Sequence, residues 1–423
     1  MSDFRSVAPP LYEIEHFPLP KHTHFTLDNG LNVYALREGN EEVVSVQFVF
    51  RAGKFFAENF LLPDLTAKML TEGTIKKSAE EIADILAFHA AQFGSSVGSD
   101  FITFELTCLN KHLVEVLHLI GELFSEAVFP EKEFEILVQK NVQMHRVNLE
   151  KVNFLALAKF REKIFGMKHP YGFWVQNAEL FRQVKREELS GFYNSHIKEA
   201  QLDIFIAGRF DERAVSALNN VFGKFSPRGC AEPNLPVLTD FVAEKVYIEK
   251  ENANQTCIRL GIPAVSPKHE DYFPFLMLNE ILGGYFGSRL MKNIREEKGL
   301  TYGIYSNLSV LRRFSLFSVQ AEVNKDMKDV ALEEILKEIR HLTIEKVPEE
   351  ELRIVKNSVT GGFISSVCTP FEVMDKIRTR ILNDFPDDFY ENFIENISKV
   401  SSDDIFRVAE RYFSKNMLVV MAG

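Results

Sequence analysis

Val44, Val46, Phe48 and Phe50 alternate with more polar neighbours, the two-residue period of a β-strand that buries one face. The chain then runs through Leu61-Leu-Pro63 into Leu65, Met69 and Leu70, spaced as along one side of a helix. The same sequence of events returns later. Thr256, Ile258, Leu260 and Ile262 alternate, and Tyr272-Phe-Pro274 leads into Leu276, Leu278 and Ile281. Two more anchors repeat in the same order. Phe129-Pro-Glu-Lys-Glu-Phe-Glu-Ile-Leu137 matches Val347-Pro-Glu-Glu-Glu-Leu-Arg-Ile-Val355, proline and acids marking a helix start in both. Leu202-Asp-Ile-Phe-Ile-Ala-Gly208 matches Met417-Leu-Val-Val-Met-Ala-Gly423, each read as a strand after a helix. Three matched anchors predict one domain written twice. Ser226-Pro-Arg-Gly-Cys-Ala-Glu-Pro-Asn-Leu-Pro236 reads as the linker, giving domains over 1–225 and 237–423.

Within the first half, His24 to Tyr34 reads as a hairpin turning at Asp28-Asn29-Gly30. Phe101 to Thr107 alternates as a strand, and His112 to Ala127 has helical periodicity. Runs of strands separated by paired helices predict an α+β fold. Each domain is expected to be a mostly antiparallel sheet with helices packed on one face.

Composition narrows the class. The chain has 423 residues, 49 basic against 60 acidic, for a net charge of −11; such a field repels phosphate backbones and argues against nucleic acid as partner. No uncharged apolar run reaches the roughly 18–20 residues that span a bilayer, and the opening residues lack the apolar block of a secretory signal. Cys108, Cys230, Cys257 and Cys368 lie far apart with no CxxC pair, which suggests reduced thiols and a cytoplasmic protein. The 38 phenylalanines are read as core.

One stretch carries chemistry. Leu282-Gly-Gly-Tyr-Phe-Gly-Ser-Arg-Leu-Met-Lys-Asn-Ile-Arg295-Glu-Glu-Lys-Gly-Leu-Thr-Tyr302-Gly-Ile-Tyr-Ser306 places a Gly-Gly break before a helix with Leu290, Met291 and Ile294 on one side. Gly299 stands where a left-handed cap would end it, and Leu300 to Ser306 reads as a strand. Arg295 in the last helical turn and Tyr302 early in the strand can then meet at one edge. Alone, Arg295 is a cation at a helix C-terminus and Tyr302 a strand aromatic.

This stretch resembles the insulinase-like, or pitrilysin (M16), family of zinc peptidases. The likeness extends through the Asp-Asn-Gly-Leu hairpin, Thr71-Glu-Gly-Thr74, Asp100 and His169-Pro-Tyr-Gly172, and implies two related α+β domains. It also implies a zinc motif, His-x-x-Glu-His, on the helix before Gly73-Thr74. Two histidines four apart on one face would grip the metal, and the glutamate would activate water. Counting back, this chain has Asp64-Leu65-Thr66-Ala67-Lys68. Lysine cannot ligate zinc and alanine moves no proton. The family's third ligand, a glutamate, would fall near Gln143, Met144 or His145, and none is an acid. Asp64 and Lys68 read as an ordinary i, i+4 salt pair. His112 and His118, six apart, and His22 and His24 are read as incidental.

The resemblance further implies that an arginine and tyrosine at Arg295 and Tyr302 complete an active site whose zinc lies in another domain. The expectation is therefore a non-catalytic subunit with no metal of its own. Its mate would be a homologous zinc-bearing subunit with His-x-x-Glu-His, and its substrate a peptide or unfolded polypeptide. Phe93-Gly94-Ser95-Ser96 stands where catalytic members carry the Asn-Ala of a substrate-binding edge strand. A structural scaffold subunit of a larger assembly is the alternative. A lone peptidase with a relocated metal site fits less well, since no compact histidine and carboxylate set is visible.

Overall fold

The structure, a computed structural model, describes residue 14 and residues 17–198, 200–227, 229, 233, 235, 236 and 240–423. Within the linker 226–236, residues 228, 230–232 and 234 lie outside the described residues, Cys230 among them. By compactness the chain forms two units. The larger holds Pro20–Arg259, Thr369–Arg378 and Leu418–Gly423; the smaller holds Met1–Leu19, Leu260–Cys368 and Thr379–Met417.

The first half contributes strands β1 (Thr23–Thr26), β2 (Asn32–Leu36), β3 (Val43–Phe50), β4 (Gln92–Val97), β5 (Ile102–Leu109) and β6 (Leu202–Gly208). They pair in the order β1-β2-β6-β3-β5-β4, leaving β4 at an edge. Only β2 and β6 run parallel, as expected of a strand entered through a helix. The helices are α1 (Leu62–Met69), α2 (Ala79–Phe88), α3 (Leu113–Glu126), α4 (Glu131–Leu149), α5 (Val152–Phe165), α6 (Arg186–His196) and α7 (Glu212–Phe222).

The second half supplies β7 (Lys245–Ile248), β8 (Gln255–Ala264), β9 (Thr301–Leu311), β10 (Phe314–Asn324) and β11 (Leu418–Ala422). Its helices are α8 (Tyr272–Asn279), α9 (Lys328–Leu342), α10 (Glu349–Ser365), α11 (Pro370–Leu382), α12 (Phe393–Lys399) and α13 (Ser402–Phe413). In the larger unit β7 and β11 pair in parallel beside the start of β8. In the smaller unit the end of β8 adjoins the β9–β10 hairpin, with β9 at the edge. Among the described residues no helix is long and apolar enough to cross a membrane.

The phenylalanine excess has a structural use. Phe48 and Phe50 point from β3 to one side and meet Phe124 of α3 edge-on at 5.3 and 5.1 Å, while Phe48 also packs on Phe222 of α7 at 5.0 Å. Edge-to-face rings fill volume and align their quadrupoles. The opening hairpin is pinned to the same helix. The Asn29 amide donates to the carbonyls of Phe222 and Phe225, both at 2.9 Å, and Asn219 exchanges hydrogen bonds with Asp28. The repeated prolines behave alike: Pro130 and Pro348 each hold the cap position, ψ 137° and 141°, one residue before the helix. Neither can donate an N–H, and none is needed there.

Alternation along β3 predicts one solvated face, yet seven of its eight residues are buried. The second face is covered as well. The Gln47 amide donates to Asp375 at 2.9 Å and accepts from Arg378 at 2.6 Å, both on α11. The counterpart lies on the second-half strands within the same unit: Leu155 and Ala156 of α5 cluster with Cys257, Ala422 and the half-buried Ile248. Each half of the sequence therefore lends the other a helix.

The smaller unit is knotted on one carboxylate. Asp271, fully buried, accepts from Arg407 at 2.6 Å, Arg411 at 2.9 Å and the Tyr412 hydroxyl at 3.0 Å, fixing α13 to the start of α8. Burial alone would raise its pKa, but the Arg407 and Tyr412 hydrogen bonds and the two guanidinium charges outweigh burial and hold it below the ordinary value. A carboxyl depressed in the folded state stabilises above its unfolded pKa and loses that contribution as pH falls through the folded one. Asp271→Asn should therefore cost about 2 kcal/mol near pH 7, given half-exposed arginines. In urea unfolding, the gap from the native chain should narrow below about pH 4; a gap unchanged down to pH 2.5 would contradict the ionic account.

Candidate functional site

α1 carries the residues that stand at the zinc-motif positions. Asp64 and Lys68 lie one turn apart on it, and the Lys68 ammonium sits 2.6 Å from the Asp64 carboxylate. The same ammonium lies 3.3 Å from Oδ1 of Asn141 on α4. Asn141 is 2% exposed and donates its own amide to the Leu137 carbonyl. The side chain that α4 turns toward Lys68 is thus Asn141, two residues before the Gln143–His145 window. Gln143 and Met144 face solvent, while His145 is buried, its Nε2 2.6 Å from the Val175 carbonyl. A signal for Asn141 was present in the sequence. Phe134, Val138, Asn141 and His145 recur at helical spacing, and an asparagine on that stripe must find a polar partner inside.

These residues do not fit zinc. An ammonium already bound to the one nearby carboxylate repels a cation, Ala67 is a buried methyl, and Asn141 offers only a neutral amide. Among the described residues no group of three or more His, Cys, Asp or Glu side chains could hold a metal ion. The Asp64–Lys68 pair is partly exposed and contributes a few tenths of a kcal/mol, roughly 0.2–0.5.

The other residues that carry the resemblance are engaged in structure. The Tyr171 hydroxyl donates to the buried Asp100 carboxylate at 3.0 Å, and the Tyr171 N–H donates to His169 Nδ1 at 3.1 Å. Burial pushes the His169 imidazole below its ordinary pKa. Phe55 meets both rings edge-on, at 5.5 and 5.2 Å. The Thr74 hydroxyl donates to Glu122 at 2.5 Å while accepting the N–H groups of Lys76 and Lys77. These groups lock loops against the first sheet and leave little polarity for a substrate.

The Arg295–Tyr302 block differs. Its helix is not a regular α-helix: residues 280–284 and 291–297 wind as π-helix, which carries an extra residue per turn and recurs at functional sites. Arg295 lies on the second of these. The turn closes as the sequence predicts, with Gly299 at φ +62° and the Leu300 N–H donating to the Ile294 carbonyl at 2.9 Å. The strand is irregular too. Thr301 pairs with Val323 and Ile304 with Ala321, so Tyr302 and Gly303 together face Glu322. This is a β-bulge on an edge strand, a device that re-aims side chains. Gly283 lets β9 close on the π segment, because a Cβ there would sit 2.6 Å from the Ser306 nitrogen.

Both side chains are left unspent. Tyr302 is 93% exposed, and its hydroxyl has no hydrogen-bond partner among the described residues. Arg295 makes no ion pair there; its guanidinium stands over the Phe286 ring at 5.0 Å, a ring itself 65% exposed. Three neighbouring polar side chains, by contrast, are paired. Arg289 grips Glu351 through two bonds of 2.9 and 2.7 Å, Asn293 donates to Glu338 at 2.6 Å, and Lys298 pairs with Glu334 at 2.6 Å. The block thus holds its helix with one set of charges and presents another cation among exposed aromatics, Tyr305 included.

Comparison with known proteins bears on family and fold. The family profile described as Insulinase (Peptidase family M16) matches residues 35–166, and the Peptidase M16 inactive domain matches residues 183–359. An uncharacterized zinc protease of Rickettsia felis is 23% identical over 396 residues, 92% of this chain and 94% of that protein. The non-peptidase homolog YmxG of Helicobacter pylori is 26% identical over 330 residues, 75% and 74% of the two chains. A crystal structure of a peptidase M16 inactive domain from Pseudomonas fluorescens superposes with a TM-score of 0.85 at 21% identity, covering 95% of this chain and 98% of that one; this likeness is one of fold.

If Asn141 is the α4 position that faces the α1 pair, a metal site can be grafted there. Asp64→His with Lys68→His and Asn141→Glu should retain about one zinc per chain after gel filtration, measured by elemental analysis. The same two histidines with Met144→Glu should retain far less, and equal loading of the two variants would refute the placement.

Proposed function

Since the chain belongs to the insulinase-like, or M16, peptidase family, we propose that it is the non-catalytic subunit of a two-chain zinc metallopeptidase. Its domain over 237–423 would lend Arg295 and Tyr302 to a homologous cytoplasmic partner that bears His-x-x-Glu-His and the zinc. The domain over 1–225 keeps the architecture without the metal. The two chains would close around a chamber that admits peptides or unfolded polypeptides.

The observation that carries this reading is the contrast between spent and unspent groups. The motif positions on α1 are neutralised by Lys68 and Asp64, whereas the Tyr302 phenol has no hydrogen-bond partner and the Arg295 guanidinium no ion pair among the described residues, only the Phe286 ring beneath it. A peptide carbonyl under attack gains negative charge on its oxygen. A guanidinium and a phenol are N–H and O–H donors suited to that charge, and they act strongly where water is excluded. The printed name of the H. pylori relative, a non-peptidase homolog, supports the absence of independent activity.

The test is co-expression with a zinc-bearing homologue from the same genome. Cleavage of a fluorogenic peptide should require both chains. Arg295→Ala should lower kcat by about 10²–10³ and Tyr302→Phe by about 10-fold or more, the usual result of removing an oxyanion donor; pull-down should show assembly unchanged. Full activity of the partner alone, or variants that cleave like the native pair, would refute the proposal in favour of a scaffold role.

A further inference from the structure

A second feature lies in the larger unit and stands independently of the Arg295–Tyr302 reading. A cavity of about 300 Å³ opens between the start of α1, the first three turns of α5 and the loop after His169-Pro-Tyr-Gly172, with Val97 of the edge strand β4 among its lining residues. Its walls are largely aromatic, with Phe154, Phe173 and Trp174 among them. Two cations reach it, Lys54 and Arg161, and neither has an ion pair or side-chain hydrogen bond with another described residue. Lys54 is half-buried. Burial and then the Arg161 charge push its ammonium below the ordinary pKa, with Asp64 opposing them. Arg161 is exposed, and partial burial of its guanidinium pushes the pKa of that group down. The one carboxylate lining the cavity, Asp64, is already held by Lys68.

Two cations without an ion-pair partner among the described residues thus stand beside an apolar wall, Lys54 half-buried and Arg161 exposed, and both are available to an anion. We propose that this cavity binds a carboxylate carrying an aromatic or large aliphatic group, its oxygens between Lys54 and Arg161 and its apolar body against Phe173 and Trp174. A guanidinium matches a carboxylate bidentately, and an ammonium adds a point charge. The volume suits a single hydrophobic residue with its terminal carboxylate. Such a group occurs at the C-terminus of a peptide and in a free aromatic acid.

Trp174 is the sole tryptophan of the chain, so its fluorescence reports on this cavity alone. Titration of the full-length protein with N-acetyl-phenylalanine should change that fluorescence saturably, and N-acetyl-phenylalaninamide, which lacks the charge, should not. Lys54→Met and Arg161→Met should each weaken the acid by about tenfold or more, a typical loss for a charge-assisted hydrogen bond. Arg161→Lys should restore most of the affinity, and Asp64→Asn should tighten it. Replacing either cation, which no described residue pairs, should not unfold the chain, and circular dichroism checks this. Acetyl-Ala-Ala-Ala-Phe and 3-phenylpropionate separate the two sources: tighter binding of the peptide assigns the site to polypeptide C-termini, and equal binding assigns it to small acids. Identical responses to acid and amide, no saturable response to any acid, or native affinity in both methionine variants would overturn the proposal.

Discussion

A strand buried on both faces needs two covers, and that constraint organises this chain. β3 packs Phe48 and Phe50 into an aromatic core on one side and carries Gln47 on the other. A buried amide without partners costs roughly 1–3 kcal/mol, so something polar must meet it. Asp375 and Arg378 do so from α11. The reciprocal contact of α5 with the strands near Ala422 satisfies the other half in kind. A duplicated domain thus becomes an exchanged pair of elements, and the cut between compact units falls inside β8 and α11 rather than at a proline-rich connection.

Within that frame, polar groups divide by whether they are satisfied. Asp100, His169, Tyr171, Thr74 and Glu122 spend their hydrogen-bonding capacity on one another. Lys68 and Asp64 do the same at the motif positions. Arg295, Tyr302, Lys54 and Arg161 do not. Satisfied groups specify the fold; unsatisfied ones near solvent or a cavity retain interaction energy for a ligand or partner. The π-helical turns and the β-bulge that carry Arg295 and Tyr302 sharpen the contrast. Both are departures from regular geometry, and both lie where two side chains are set outward.

The sequence made much of this legible. The repeat anchors fall on β3 and β8, α1 and α8, α4 and α10, β6 and β11, because hydrophobic period and proline placement are local signals. The left-handed Gly299 was readable for the same reason. Long-range pairings were not. Nothing near Gln47 announces Asp375, and alternation along β3 misleads because the polar residues on its second face are buried too. Asn141 escaped because placing it by distance from α1 cannot fix a helical phase to within one residue, and one residue turns a side chain by about 100°. The bulge at Tyr302 and the π turns depend on an extra residue absorbed by packing, which local pattern does not record.

The link between Gln47 and residues 375–378 also bears on how the protein is made. These partners are separated by 328 and 331 positions, so a ribosome working at about 5–20 residues per second exposes the far side of the first sheet for tens of seconds before its lid emerges. Throughout that interval the Gln47 amide, which the folded chain buries, lacks both of its side-chain partners. Truncated or stalled products would leave that amide without those partners indefinitely, which makes the distal third of the polypeptide an intramolecular guardian of the proximal part.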